Sequence, residues 1–132
     1  MRTFIDTSAF FAILDRDDAK HQKAKQIWGY LLQYETTLVT SNYVLVETFA
    51  LLQNRLGLAA VRAFQEDVLP LVNVEFVTPD THRSGIAALL LAQRRNLSLV
   101  DCVSFDIMRT LGIKDAFAFD PHFKEQGFLE AP

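Results

Sequence analysis

The chain has 132 residues, half of them hydrophobic and 22% charged, with a formal net charge of −3. That size suits one soluble domain with a sizeable core. The acidic balance argues against binding nucleic acid through bulk positive charge, and no apolar run approaches the roughly 20 residues of a membrane span. The N-terminus has neither the basic segment nor the cleavage site of a signal peptide. The single cysteine, Cys102, sits in an apolar context and has no internal disulfide partner, so a small buried hydrophobe in a cytoplasmic protein is expected. No repeat or low-complexity segment is present. Residues 1–132 read as a single domain, with residues 127–132 a loose tail.

Phe4-Ile5 reads as the end of a short buried strand, with Asp6 at its carboxyl end and Thr7 or Ser8 placed to cap a helix through Leu14. Asp6 is itself a good N-cap, so its meaning depends on whether other acids converge on it. Asp17 or Asp18 can cap a helix from about Ala19 to Tyr34, with a polar first part and a packing face at Ile27, Trp28, Tyr30, Leu31 and Leu32. Asp15, Asp17 and Asp18 lack the glycine and distal Glu of an EF-hand. Thr37–Thr40 predicts a strand, and Ser41 or Asn42 caps a helix from Tyr43 to about Leu56, closed by Gly57. Glu47 interrupts the apolar run of that helix. An unpaired carboxylate buried there costs several kcal/mol, so it is paired, protonated, bound to metal, or at an edge where it reaches water.

A helix from Leu58 to about Val68 is expected next, then a strand over Val72–Val77 with Asn73 and Glu75 on its exposed side. Pro79 opens a helix to about Arg95 that turns Ile86, Ala87, Leu89, Leu90 and Leu91 inward. Leu97–Asp101 repeats the opening pattern, a short strand-like piece ending in an acid, with a helix from Cys102 to Leu111 stopped by Gly112. Ala116–Asp120 repeats it again, followed by a turn over Pro121–Lys124. Such alternation of strands and helices predicts an α/β fold with a mostly parallel sheet.

The candidate site is therefore Asp6, Glu47, Asp101 and Asp120. Crowded carboxylates do not all stay ionised without a cation, and an all-oxygen cluster is what Mg²⁺ or Mn²⁺ prefers. His21, His82 and His122 are scattered and read as surface or satisfied residues.

Four segments carry a resemblance: Phe4-Ile5-Asp6-Thr7-Ser8-Ala9-Phe10, Val46-Glu47-Thr48, Leu99–Phe105 and Ala118-Phe119-Asp120-Pro121-His122-Phe123. In order and spacing they resemble the four acidic motifs of PIN-domain ribonucleases, and more narrowly of VapC-like toxins from type II toxin–antitoxin pairs. The resemblance implies a three-layer α/β/α fold with a central, mostly parallel sheet. It implies that Asp6, Asp101 and Asp120 hold Mg²⁺ or Mn²⁺ directly or through water, and that Glu47 is a further ligand or orients a water. Thr7 or Ser8 adds a hydroxyl contact. The implied activity is metal-dependent cleavage of an RNA phosphodiester, leaving a 5′-phosphate and a 3′-hydroxyl. A homodimer and an antitoxin peptide across the acidic groove are the implied partners. Many PIN domains carry a further acid a turn beyond the third motif; here Ser104 and Phe105 stand there, which leaves one or two ions open, and Asp106 reads as a surface acid. The alternatives are a non-catalytic RNA- or partner-binding module, a metal-dependent nuclease or phosphatase on another phosphoester, and a receiver-like phosphoacceptor, which lacks its paired acid beside Asp6.

Overall fold

The computed structural model describes residues 1–132. Strands β1 (Arg2–Ile5), β2 (Thr37–Ser41), β3 (Asn73–Glu75), β4 (Asp115–Phe117) and β5 (Leu129–Glu130) form one sheet. Their order is β3-β2-β1-β4-β5, and every neighbouring pair is parallel. Seven helices accompany it: α1 (Thr7–Leu14), α2 (His21–Gln33), α3 (Asn42–Arg55), α4 (Leu58–Ala63), α5 (Pro79–Ala92), α6 (Leu99–Leu111) and α7 (His122–Glu125). Parallel crossovers are right-handed. The steps from β1 to β2 to β3 therefore lay α1 to α4 on one face, and the return from β3 to β4 lays α5 and α6 on the other. Phe10, Phe64 and Phe49 interlock on the first side; Phe105, Phe123 and Phe128 do so on the second. No helix is long and apolar enough to cross a membrane.

The central strands are buried on both faces, which is why β1 reads as an unbroken apolar run through Phe4 and Ile5, both fully buried. Strand β1 is the pivot of the sheet: β2 lies on one side of it and β4 on the other. Its carboxyl end is the point where successive connections diverge, and ligands of open α/β sheets collect in the crevice there.

Several segments differ from expectation. Leu97–Asp101 is no strand. The Ser98 hydroxyl accepts the Asp101 N–H at 3.0 Å while the Asp101 carboxylate accepts the Ser98 N–H at 3.0 Å, and this reciprocal capping box starts α6 at Leu99. Residues 127–132 are not all loose: β5 runs parallel to β4, and Ala131, which is buried, donates its N–H to Ala116 at 2.9 Å. The helix expected over Leu58–Val68 is α4 followed by a π-helical turn, Phe64–Val68, and a 3₁₀ turn, Leu69–Leu71, that contains Pro70. Pro121–Lys124 enters the short helix α7 rather than a bare turn. Leu90 and Leu91 point outward on α5, 70% and 84% exposed.

The buried residue of α5 is Gly85, against α6. A Cβ there would lie 2.7 Å from Val103 Cγ2 and 3.3 Å from Leu99 Cδ1, so glycine sets how closely α5 approaches the turn that carries Asp101. Gly85→Val is expected to cost about 1–3 kcal/mol through overpacking, read as a lower denaturant midpoint with an unchanged slope.

Candidate active site

All four acids reach one cleft of about 660 Å³ at the carboxyl edge of the sheet. Asp6 leaves β1 as the N-cap of α1 and is buried. Its Oδ2 accepts the Ser8 N–H at 3.2 Å and the Ser8 hydroxyl at 2.8 Å. Ser8 Oγ in turn accepts the Phe119 N–H at 2.9 Å, so one serine ties the Asp6 carboxylate to the segment that carries Asp120. Thr7 also lines the cleft, on the side of α3 and Glu47. Its hydroxyl meets that of Thr48 at 3.0 Å, which fixes α3 against the first turn of α1 and sets Glu47 at the rim of the cleft.

Glu47 is not in the core. It is exposed, with Val46 and Ala50 beside it also exposed, so the apolar run of α3 is partly a surface. Of the environments open to it in the sequence, the edge position is the one observed. Asp101 is buried at the start of α6, and Asp120 follows β4 half-buried.

His122 departs most from the sequence reading, being neither on the surface nor satisfied. It is 6% exposed. Its Nδ1 lies 2.6 Å from Asp120 Oδ1 and 3.7 Å from Asp101 Oδ2, yet makes no well-aligned hydrogen bond. Asp120 Oδ1 also accepts the His122 N–H at 2.9 Å. One donor atom each from Asp101, Asp120 and His122 lies within 4.8 Å of the others. The available signal is position alone: a histidine two residues after a strand-end acid, past a proline that turns the chain back. Asn54 and Asn96 also line the cleft, with no sequence pattern to mark them.

The electrostatics follow from this crowding. Burial pushes the Asp6 carboxyl up to about 7, against the Ser8 hydrogen bonds, with Asp101 and Asp120 adding to the rise. Asp101 is raised by burial, opposed by its hydrogen bonds to Ser98 and raised again by Asp120. The Glu47 carboxyl is also raised, chiefly because the cleft wall withdraws water from it, with Asp101 and Asp120 contributing. Burial likewise pushes the Cys102 thiol up, as suits an inert packing residue. Carboxylates that resist ionisation together, beside a buried histidine nitrogen lacking an aligned partner, form a donor set that fits a divalent cation.

A protein-family model for the PIN domain matches residues 3–129. The chain belongs to the PIN-domain family. Among individual proteins it is similar to the 23S rRNA-specific endonuclease VapC20 of Mycobacterium tuberculosis, in strains CDC 1551 / Oshkosh and ATCC 25618 / H37Rv. Each is 40% identical over 128 residues, covering 96% of this chain and 95% of the relative. The crystal structure of Mycobacterium tuberculosis VapC20, described as a sarcin-ricin loop cleaving toxin, superposes with a TM-score of 0.84 at 38% identity, covering 96% of each chain.

Asp6 links the site to folding. Its carboxyl ordinarily titrates near 3.8 and in the fold near 7. Between those values the folded state binds the extra proton, so stability falls as pH rises through that window. Without divalent ions, Asp6→Asn is expected to exceed wild type in denaturant midpoint by a margin that widens from pH 5 to pH 8. A margin that does not widen would show that Asp6 ionises as freely in the fold as in the unfolded chain.

Proposed function

We propose that this protein is a metal-dependent endoribonuclease, the toxin of a toxin–antitoxin pair, with Asp6, Glu47, Asp101 and Asp120 as its catalytic acids. The observation that carries the reading is the convergence of all four on one cleft, supported by membership of the PIN-domain family and likeness to VapC20 over nearly the whole chain. Asp101 and Asp120, with His122 beside them, are the nearest donors for a cation. When bound, Mg²⁺ or Mn²⁺ supplies an activated water and charge stabilisation at the phosphodiester. Asp6, held by Ser8, adds negative charge at the floor of the cleft. Glu47 at the rim accepts a hydrogen bond from the attacking water and orients it. The products carry a 5′-phosphate and a 3′-hydroxyl. Retention of all four acids favours this over a non-catalytic module. Because VapC20 is named for 23S rRNA, the sarcin-ricin loop is the first RNA to offer.

The purified protein is expected to cleave RNA with Mg²⁺ or Mn²⁺ and to lose activity in EDTA. Asp6→Asn keeps the shape of the side chain and is expected to lower the rate by roughly a hundredfold or more, since even outer partners of metal sites are worth 10–100-fold. Equal cleavage by both proteins would remove Asp6 from the site.

An antitoxin segment lying across the cleft and a cytoplasmic location belong to the same reading, as does a homodimer. Support for the dimer comes from Leu90 and Leu91, neighbours on α5 that are 70% and 84% exposed, since contiguous exposed apolar surface marks interaction sites. Leu90→Glu with Leu91→Glu is expected to halve the mass measured by light scattering. An unchanged mass would exclude that surface.

A further inference from the structure

A second cavity, about 180 Å³ in volume, lies against the acidic cleft, and Asp120 lines both. Lys20 and Lys23 reach it from the start of α2, and Lys124 from α7. These are three of the five lysines in a chain whose net charge is −3. None of them is in an ion pair. Several arginines, by contrast, are paired with polar side chains of the protein: Arg83 with Asp80, Arg94 with Glu125 at 2.9 Å and Arg109 with Gln126 Oε1 at 2.8 Å. Phe119 and Phe128 also line the cavity, and Lys20 Nζ stands 5.9 Å from the Phe119 ring centroid. Glu130 is the one other acid in the lining. No side chain caps α2 at Lys20, so the positive end of its dipole adds to the field.

A cleft of four acids repels a polyanion, so a strand laid across it needs positive charge close by. The free lysines beside Asp120 supply that charge, and aromatic faces next to them suit an unpaired base, since single-stranded nucleic acid is held by stacking together with a basic groove. We propose that this cavity holds the nucleotide adjacent to the scissile bond of a single-stranded RNA, its phosphate on Lys20, Lys23 and Lys124 and its base against Phe119. The inference rests on the nuclease reading and extends it from the acids to the path of the substrate.

The test is binding of a short, fluorescein-labelled, unstructured RNA of mixed sequence, followed by anisotropy over a range of salt in EDTA, where no cleavage intervenes. The Lys20→Gln, Lys23→Gln, Lys124→Gln triple variant is expected to bind about tenfold more weakly or worse. Its slope of log affinity against log salt should fall by about 0.7 for each phosphate that the lysines no longer neutralise. Lys114→Gln and Arg62→Gln remove the same charge away from the cavity and are expected to bind as wild type. Phe119→Leu keeps the apolar volume, and is expected to weaken binding without changing the salt slope. With Mg²⁺ present, the triple variant is expected to raise KM and hold kcat. Wild-type affinity and slope in the triple variant would overturn the inference and leave the cavity to a protein segment. If the wild type nevertheless cleaves RNA, the nuclease reading survives that outcome. A wild type that cleaves nothing but loses RNA binding in the triple variant would overturn the nuclease reading and keep the cavity.

Discussion

The Ser8 hydroxyl joins the two halves of the site. It donates to Asp6 at the end of β1 and accepts from the Phe119 N–H beyond the end of β4. Those strands are adjacent in the sheet, and each carries an acid out of its carboxyl end. Without this link the two carboxylates would be free to separate and hydrate. With it they are held at a buried edge, where desolvation and mutual repulsion raise the Asp6 carboxyl to about 7. Proximity is imposed by the parallel pairing of β1 with β4, and the raised pKa is its electrostatic consequence.

The remaining acids are brought in by helix starts. Asp101 belongs to the capping box of α6, so the hydrogen bond that begins the helix also orients the carboxylate. Glu47 is set by the Thr7–Thr48 hydrogen bond between α1 and α3. Gly85 lets α5 press on α6 at Leu99 and Val103, which flank Asp101. Each acid is thus positioned by an interaction that the fold needs for its own sake, and their convergence accumulates unfavourable charge that a divalent cation would relieve.

Much of this is legible in the chain. Asp6 and Asp120 are marked by apolar strand-like runs that stop at an acid, and the parallel sheet by the alternation of elements. Asp101 stands out for a partly wrong reason, since Leu97–Val100 has strand-like composition, whereas Ser98 and Asp101 at capping-box spacing make it a helix start. Glu47 stands out in an apolar run, but α3 leaves Val46 and Ala50 in water, so periodicity alone does not tell a core face from an exposed apolar one. The same ambiguity misplaces Leu90 and Leu91. β5 has two residues, too few for any pattern, and exists because β4 offers it an edge. His122 becomes visible only with the turn that folds it back onto Asp120. Of the lysines of the second cavity, Lys20 and Lys23 lie far in sequence from Lys124, and only the sheet edge brings them together.

The central claim is that these crowded acids form a cation site. Mn²⁺ titration of the thermal unfolding of wild type and of Asp101→Asn tests it most directly, because a ligand of the folded state raises the melting temperature in step with its occupancy, and Asn retains an acceptor for the Ser98 N–H. A saturable rise in wild type that is absent or much weakened in Asp101→Asn is the predicted result. No rise in wild type, or the same rise in both, would contradict the account.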